Sequence, residues 1–359
     1  MASDPLVDLL RELVEFESPS YSLGVRQVAD RMGVELEALG ARVRLHEGDH
    51  LVAELDGEGE PLLLLGHTDT VWPLGTLASL PFCVEGDRAY GPGTYDMKAC
   101  LVLLLEAIRL AGPFRRALRV FLTADEEQGS KTARPLLERT ATGVAAALVV
   151  EPTTQSGDLK TSRKGLGRFR LTVIGKPAHA GNNRADGVSA IEELSHQVLA
   201  LHALNDATSG LSFNVGVVSG GTSENVVAAS AEAQIDVRVR SSADLARAEQ
   251  ALARLEPVLA DARLEISGGW TRPPLERSPG GARLFAKARE HGLTLGLDLK
   301  ESSSGGGSDG DLVGALGVPV LDGLGVEGAG AHAVDEHVLL PSLPLRAQLL
   351  ARLLQDPGI

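Results

Sequence analysis

The order of apolar strand patterns and amphipathic helix patterns constrains the fold most strongly. Apolar residues recur at helical spacing from Leu6 to Phe16 and again from Val25 to Leu39. Short apolar runs typical of strands then alternate with helical stretches up to Val150. This alternation predicts an α/β domain with a mixed, largely parallel sheet flanked by helices. The predicted strands of this part are 41–45, 51–55, 62–65, 118–122 and 145–150.

A different pattern runs from about Gly165 to Ser267. Its elements follow the order β-α-β-β-α-β, which is the ferredoxin-like arrangement. Because this unit is complete in itself, we expect it to be an inserted domain of residues 161–270. The remaining residues, 1–160 and 271–359, then form one discontinuous catalytic domain. The predicted elements of the insert are 168–174, 185–204, 211–218, 231–240, 243–259 and 263–266.

Charge and cysteine content limit the classes of partner. Acidic residues outnumber Lys and Arg by 48 to 34, and no basic run interrupts this excess. Nucleic acid and anionic membranes are therefore poor partners. The two cysteines are too few for a disulfide framework. Since no signal peptide pattern or membrane-spanning stretch is present either, we expect a cytoplasmic protein.

A histidine and an aspartate follow one of the buried strands. The apolar run 61–65 ends in the sequence GHTDT (66–70), which contains His67 and Asp69. In open α/β sheets, ligands bind beyond the carboxyl ends of the strands. His67 can bind a metal there while Asp69 accepts a hydrogen bond from the other ring nitrogen. The alternative is a hydrogen-bonded loop histidine without a ligand.

Two single carboxylates occupy comparable positions. Asp96 lies in the turn GPGTYDMK (91–98), directly before a buried helix. Its carboxylate can bridge two cations, or it can simply cap that helix. Glu151 follows the apolar strand that ends near Val150. Each position on its own also fits a solvated turn.

The adjacent pair Glu126 and Glu127 is harder to explain without a cation. It follows the strand 118–122, and two neighbouring carboxylates repel each other unless they share a cation or a proton. The pair offers one metal ligand and one proton carrier. Together, the His, Asp, Glu-Glu and Glu sites predict a metal centre. Nitrogen and oxygen ligands without cysteine suit zinc, cobalt or manganese.

Three other sequence features resemble known motifs or linkers. The sequence HEGDH (46–50) fits the zinc-protease pattern H-E-x-x-H, but it joins two strand-like runs and indicates a hairpin turn. The sequence GLGVEG (323–328) fits a dinucleotide-binding pattern, but no helix pattern follows it. We interpret the Ser/Gly stretch 302–308 as a loop that lines a pocket.

The motifs as a set resemble the co-catalytic zinc metallopeptidase and deacylase family. That family includes glutamate carboxypeptidase, acetylornithine deacetylase, succinyl-diaminopimelate desuccinylase and aminoacylase. The resemblance covers essentially the whole chain and looks closest to the glutamate carboxypeptidase branch. The inserted domain of this chain corresponds to the family's lid or dimerisation domain. The resemblance therefore implies a homodimer through this domain. The motifs are GHTDTV, GPGTYDMKA, TADEEQGS, VVEPT, GKPAHAG and GAHAVDEHV.

The resemblance implies a role for individual residues. His67 and Glu151 would hold one zinc, Glu127 and His332 would hold the other, and Asp96 would bridge them. The peptide bond that follows, Asp96–Met97, would be cis. Asp69 would orient His67, and Glu126 would act as the general base. In the inserted domain, His179 would stabilise the oxyanion in its own or a partner's site. Residues implied to bind the substrate's carboxylate end are Asn225, Arg238 and Arg272.

The implied function is hydrolysis of an amide bond by two Zn²⁺ ions, for which Co²⁺ or Mn²⁺ can substitute. We expect a carboxypeptidase that releases a C-terminal, glutamate-like amino acid from a small N-acyl or peptidyl substrate. The alternative is an N-acyl-amino-acid deacylase of the acetylornithine deacetylase or desuccinylase type. A non-catalytic peptide-binding protein on the same fold is a third hypothesis, which predicts a broken ligand set or a missing base.

Overall fold

The computed structural model describes residues 4–113 and 116–359. These residues form two compact units. The first comprises the described residues up to Ser162 together with Arg277–Ser304 and Ser308–Ile359. The second comprises Arg163–Glu276 and Gly305–Gly307. The chain thus divides after residues 162 and 276, whereas the sequence patterns put the divisions after residues 160 and 270.

Nine α-helices are present in the described residues. Five of them begin at a side chain that accepts a hydrogen bond from the first turn, namely Asp4, Ser189, Ser241, Ser278 and Ser308. The helices are α1 (Pro5–Glu15), α2 (Leu23–Ala38), α3 (Ala99–Ala111), α4 (Arg134–Thr140), α5 (Ala190–His202), α6 (Ser242–Ala253), α7 (Pro279–Thr294), α8 (Asp309–Gly314) and α9 (Ser342–Gln355).

The same residues contain sixteen strands. They are β1 (Arg42–Leu45), β2 (Leu51–Leu55), β3 (Glu58–His67), β4 (Cys83–Glu85), β5 (Arg88–Tyr90), β6 (Arg116–Thr123), β7 (Ala146–Val149), β8 (Leu159–Arg163), β9 (Gly165–Ile174), β10 (Ser212–Gly220), β11 (Ser230–Val239), β12 (Arg263–Arg272), β13 (Glu301–Ser304), β14 (Val320–Leu321), β15 (Gly328–Ala329) and β16 (His337–Leu339).

A six-stranded sheet of order β1-β2-β6-β3-β7-β14 forms the centre of the first unit. The strands β6, β3, β7 and β14 run parallel, while β1 and β2 pair antiparallel at one edge. Residues on both faces of β3 and β7 are buried, which explains their continuous apolar sequences. This arrangement confirms the prediction of a mixed, largely parallel sheet. Small sheets β15-β16-β5-β4 and β13-β8 complete the unit.

The second unit has the predicted β-α-β-β-α-β order. Its antiparallel sheet is ordered β10-β11-β9-β12 and shares a separate apolar core with α5 and α6. Strand β12 continues to Arg272, past the predicted end at residue 266, because it pairs with β9 along its whole length. Helix α6 ends at Ala253 instead of residue 259, since Pro257 disfavours helical backbone at the residue before it.

The Ser/Gly stretch 302–308 is not one loop, so this part of our interpretation is wrong. Residues up to Ser304 belong to β13, which pairs with β8. Ser308 caps α8 through a reciprocal pair of hydrogen bonds with Asp311. The carbonyl groups of Gly306 and Gly307 between them accept hydrogen bonds from Arg163. Pairing and capping therefore order a sequence whose composition indicates flexibility.

The two rejected motifs lie where the sequence predicts. HEGDH forms the hairpin turn between β1 and β2, with positive φ angles at Gly48 and Asp49. GLGVEG leads from β14 into β15 and is not followed by a helix. In the part of the chain that the structure describes, none of the helices combines the length and the apolar character needed to cross a membrane.

His50 joins the hairpin to the central sheet. It is 1% exposed, stacks on Phe121, and its Nδ1 accepts a hydrogen bond from the Ala124 backbone at 3.2 Å. Its Nε2 lies 3.0 Å from Thr132 Oγ1, which donates to Asp125. Burial lowers the pKa of His50, although the charges of Asp125 and other carboxylates oppose this effect. The folded protein therefore keeps the ring neutral, as the accepted hydrogen bond requires.

A pH-dependent contribution to stability follows from this neutral ring. Histidine in the unfolded chain has a pKa of about 6.5, so unfolding takes up a proton as the pH falls below that value. The contribution of His50 to the free energy of unfolding is fully present above pH ~6.5. It decreases as the pH falls towards the lower pKa that His50 has in the folded protein. We expect His50→Asn to lower the urea midpoint at pH 7, by a margin that shrinks at pH 5.

The urea midpoints of the wild type and of His50→Asn are measured by circular dichroism at pH 7 and pH 5, in the presence of chelator. The control is His196→Asn on the exposed face of α5, whose effect should not change with pH in this way. A His50→Asn margin that stays constant or grows between pH 7 and pH 5 would contradict a neutral, buried His50.

Candidate metal centre

Three parallel strands deliver side chains to one edge of the central sheet. Strand β3 ends at His67, β6 leads into Glu126 and Glu127, and β7 leads into Glu151. Their register is fixed because β3 pairs in parallel with both β6 and β7. The carboxyl ends of these strands therefore meet at the same edge, as expected for ligand sites in α/β sheets.

Two clusters of potential ligand atoms form there, and Asp96 belongs to both. One contains His67, Asp96 and Glu151, and the other contains Asp96, Glu127 and His332. Within each cluster the ligand atoms lie within 4.8 Å of one another. The two carboxylate oxygens of Asp96 face different clusters. Oδ1 lies 3.2 Å from His67 Nε2, and Oδ2 lies 3.4 Å from His332 Nε2.

Glu151 and Glu127 complete the two clusters. Glu151 Oε1 lies 3.6 Å from His67 Nε2, and Glu127 Oε1 lies 3.3 Å from His332 Nε2. Asp96 is therefore not the cap of α3, the alternative that its sequence position allowed. That helix starts at Ala99 without a capping side chain.

Interactions within the clusters favour ionised carboxylates and protonated imidazoles. Burial would raise the pKa of Asp96, but hydrogen bonds from His332 and His67 outweigh it and hold this pKa well below its usual range. The carboxylates of Asp96 and Glu127, 3.4 and 3.3 Å from its Nε2, raise the pKa of His332 to about 10. Burial would lower the pKa of His67, but its hydrogen bonds to Asp69 and Asp96 raise it well above the ordinary value. Protons on the two rings thus balance the carboxylates in the metal-free chain.

The donor set fits two divalent cations. Each cluster offers one imidazole nitrogen and two carboxylates, which are ligands that zinc and its neighbours accept. Glu127 Oε1 is buried, and the His332 ring nitrogen 3.3 Å away does not meet it with hydrogen-bond geometry. A buried carboxylate oxygen without a donor is costly unless a cation lies against it. His332 has a positive φ of 64°, a backbone conformation that costs energy and concentrates at functional sites.

Asp69 connects His67 to the glutamate pair. His67 Nδ1 lies 2.9 Å from the backbone oxygen of Asp69 and 3.4 Å from its carboxylate. The carboxylate accepts hydrogen bonds from the backbone N–H groups of Glu126 and Glu127, both at 3.1 Å, and from Ser20 Oγ at 2.6 Å. The main-chain oxygen of Asp69 thus orients the imidazole, while its carboxylate fixes the turn that carries both glutamates.

Glu336 is a site residue to which the sequence analysis gave no role. This buried carboxylate accepts hydrogen bonds from the backbone N–H groups of Gly93, Tyr95 and Asp96 at 2.9–3.0 Å, and from the Trp72 indole at 2.7 Å. Burial raises its pKa, and the donated hydrogen bonds oppose that rise. Glu336 therefore fixes the backbone that presents Asp96. The only signal in the sequence was an acidic residue within the motif that contains His332.

The turn before Asp96 depends on glycine. Gly93 has a φ of 72°, and a Cβ at this position would approach Thr70 Cγ2 to 2.5 Å. The following Asp96–Met97 peptide bond is cis, as the resemblance implied. This turn thus passes close to the strand end that carries His67 and Asp69.

The remaining predicted site residues belong to the second unit. His179 is exposed, and its Nδ1 accepts hydrogen bonds from the backbone of Gly181 and Asn182. Exposed Asn225 lies nearby, since its carbonyl accepts a hydrogen bond from Ala180 N.

The two arginines predicted to bind the substrate differ in their surroundings. Arg238 forms a two-point ion pair with Asp236 at 2.7 and 3.1 Å and donates to the Gly305 carbonyl. Arg272 is only 3% exposed. His179 and Asn225 thus share one loop region, whereas both arginines lie on strands and are more buried.

A substitution of Glu336 tests whether its carboxylate fixes the backbone that presents Asp96. Glu336→Gln leaves one acceptor oxygen and places an N–H₂ group against N–H donors. We expect this variant to retain less than half of the bound metal after dialysis, measured by mass spectrometry, and to lose activity in proportion. The matched control is Glu37→Gln at an exposed position of α2. Full metal content in Glu336→Gln would contradict the assigned role.

The chain is similar to proteins of one family of peptidases. Residues 63–356 match the model of peptidase family M20/M25/M40. The chain is 33% identical to carboxypeptidase G2 from Pseudomonas sp. (strain RS-16), over 98% of this chain and 89% of that protein. It is 30% identical to succinyl-diaminopimelate desuccinylase from Ectopseudomonas mendocina (strain ymp), over 95% and 94%.

A solved structure shares the fold. Aminopeptidase PepT from Bacillus cereus ATCC 10987 superimposes with a TM-score of 0.81 at 22% identity, covering 97% of each chain. Solved members of the matching family also include a dinuclear metal-binding peptidase. The family match and the identities over nearly the whole chain lead to one conclusion: the protein belongs to the M20/M25/M40 family of metal-dependent peptidases and deacylases.

Proposed function

We propose that this chain hydrolyses amide bonds with two zinc ions and releases a C-terminal, glutamate-like amino acid from small N-acyl or peptidyl substrates. His67 and Glu151 hold one ion, Glu127 and His332 hold the other, and Asp96 bridges them. The observation that carries this proposal is the pair of ligand clusters that share Asp96, next to a second glutamate in the same turn. Co²⁺ or Mn²⁺ can substitute for zinc in this ligand set.

Two divalent cations at these clusters supply Lewis acidity, which polarises the scissile carbonyl and lowers the pKa of water. Glu126 acts as the general base and later gives the proton to the leaving amide nitrogen. The hydrogen bond from its backbone to Asp69 supports this role, because it fixes the position of Glu126 beside ligand Glu127. Suitable side chains occupy the ligand positions and the position of the base, which argues against a non-catalytic binding protein.

His179 is suited to stabilise an oxyanion. Because its Nδ1 accepts two backbone hydrogen bonds, a neutral ring carries its proton on Nε2. That N–H can donate to the developing negative charge on the substrate. We propose this role for His179 in its own or a partner's site. Exposed Val217 and Val218 on edge strand β10 support a homodimer through the inserted domain.

The substrate's carboxylate end is assigned to Asn225, Arg238 and, more weakly, Arg272. Support comes from the chemistry of these residues, since a guanidinium binds a carboxylate through two parallel hydrogen bonds. Arg238 is already paired with Asp236, so it is ordered before a substrate binds. The second candidate function is that of an N-acyl-amino-acid deacylase of the acetylornithine deacetylase or desuccinylase type, which the similarity to a desuccinylase favours.

A panel of substrates distinguishes the two candidates. We expect hydrolysis of N-acyl-L-glutamates at kcat/KM values at least about tenfold above those for N-acetylornithine and N-succinyl-diaminopimelate. Chelator should abolish activity, and added Zn²⁺, Co²⁺ or Mn²⁺ should restore it. A preference for either of the other two substrates would favour the deacylase function. Activity that survives complete metal removal would contradict both functions.

Substitution of the adjacent glutamates separates base from ligand. Glu126→Gln should lower kcat by about 10²–10⁴-fold, the range for loss of a general base, while both metal ions remain bound. Glu127→Gln is the matched comparison, and we expect it to lose one ion along with activity. The measurements are steady-state kinetics and metal content per chain. Wild-type kcat in Glu126→Gln, or loss of both ions from it, would remove Glu126 from the base role.

A further inference from the structure

The short segment 16–22 connects α1 to α2 and runs along the loop that follows β3. Ser18 in this segment pairs with both neighbours of Asp69. Its hydroxyl donates to the Thr68 carbonyl at 2.9 Å, and its carbonyl accepts from the Thr70 N–H at 2.8 Å. The segment is therefore held in register with Asp69, although the function proposed so far gives it no role.

Further contacts fix the path of this segment. The Phe16 carbonyl accepts a hydrogen bond from Nζ of the buried Lys98 at 2.7 Å. The Glu17 carboxylate accepts from two backbone N–H groups at 2.8 and 2.9 Å. Gly24, in the first turn of α2, lets the segment pass close by, because a Cβ there would overlap the Glu17 carbonyl oxygen. The segment thus has one defined path past Asp69.

The segment ends in a strained turn. Tyr21 has a left-handed backbone conformation, with a φ of 67°. A residue other than glycine adopts this conformation at an energetic cost, and such residues concentrate at functional sites. This turn directly follows Ser20, the residue of the segment whose side chain contacts Asp69.

Ser20 donates its hydroxyl to Asp69 Oδ2 at 2.6 Å, a distance typical of a hydroxyl bound to an ionised carboxylate. The same oxygen accepts the Glu127 N–H, and Oδ1 accepts the Glu126 N–H, both at 3.1 Å. Asp69 is only 1% exposed. Loss of the hydroxyl would therefore leave Oδ2 with fewer donors in a buried site, which is costly for an ionised group.

The three donors to Asp69 differ in how they are anchored. A carboxylate turns easily about its last bond, so its donors must set its plane. The N–H groups of Glu126 and Glu127 belong to the turn that the carboxylate itself holds, and they move with that turn. Ser20, in contrast, belongs to a segment with its own anchors. Its hydroxyl therefore gives Asp69 a fixed direction in which to hold the turn.

We propose that Ser20 is a positioning residue of the metal centre, whose hydroxyl fixes the turn of Glu126 and Glu127 through Asp69. The inference rests on the proposed function, in which Glu126 is the general base. A loosened turn would displace this base from the water that it deprotonates. Because the contacts to the substrate do not involve the turn, kcat should change and KM should not.

Three variants test the role of the hydroxyl. Ser20→Ala should lower kcat about tenfold and change KM by less than about twofold, because the base is misplaced. Ser20→Thr keeps a hydroxyl and should restore kcat to within about threefold of the wild type. Ser22→Ala is the matched control, since this buried hydroxyl of the same segment forms no hydrogen bond with the described residues. Its kcat should equal that of the wild type.

Hydrogen exchange of the metal-free protein tests the same contact without turnover. With chelator present, Ser20→Ala should speed deuterium uptake about tenfold in peptides that contain the Glu126 and Glu127 N–H groups, since Asp69 holds them less firmly. Uptake in α3 should stay at the wild-type rate. Ser22→Ala should match the wild type in both regions.

Lower kcat together with faster exchange confined to the glutamate turn supports the proposal. Wild-type kcat in Ser20→Ala, wild-type exchange at Glu126 and Glu127, or an equal rise of exchange in α3 overturns it. A Ser20→Thr variant as slow as Ser20→Ala also overturns it, because the hydroxyl would then not be the cause. If the wild-type protein hydrolyses no amide, the proposed function fails, while the exchange result still decides whether Ser20 fixes the turn.

Discussion

Repulsion among carboxylates is the constraint on which the centre depends. The ligand oxygens of Asp96 lie within 4.8 Å of those of Glu127 and of Glu151 at the end of a buried sheet, where charges interact strongly. Among the described residues, two imidazoles are the members of these clusters that can carry a positive charge, and in the metal-free chain their protons balance part of the negative charge. Divalent cations balance it more completely, since they also supply a partner for the buried Glu127 oxygen.

The surrounding protein holds these repelling groups in place through buried polar side chains. Glu336 binds the backbone around Asp96, and Asp69 binds the backbone of Glu126 and Glu127. Behind that turn, neutral His50 accepts a hydrogen bond from Ala124 and contacts Thr132. Each of these side chains binds main-chain N–H groups, so the positions of the ligands are fixed even though their charges repel.

Much of this arrangement was predictable from the sequence. The strands that deliver His67, Glu127 and Glu151 have continuous apolar sequences, and a parallel sheet brings their carboxyl ends together. His332 was less accessible, because no strand delivers it and only the resemblance joined it to the centre. The turn that carries Asp96 predicted either a bridging carboxylate or a helix cap. Glu336 acts through backbone N–H groups about 240 residues away in the chain, a contact that periodicity cannot reveal.

The sequence also failed to predict where some strands and loops end. Strand β12 continues through Gly268 and Gly269 because β9 offers a partner along its whole length, although glycine indicates a strand end. The Ser/Gly stretch before α8 is ordered by strand pairing and by the Ser308 cap, neither of which its composition indicates. Long-range partners thus decided the cases in which local preference was misleading.

Anomalous diffraction from zinc-loaded crystals shows whether two metal ions share Asp96. We expect two zinc peaks about 3.5–4 Å apart, the spacing of co-catalytic sites. Asp96 should lie between them, with His67 and Glu151 on one ion and Glu127 and His332 on the other. A single peak, or two peaks that do not share Asp96, would contradict a co-catalytic two-metal centre in this protein.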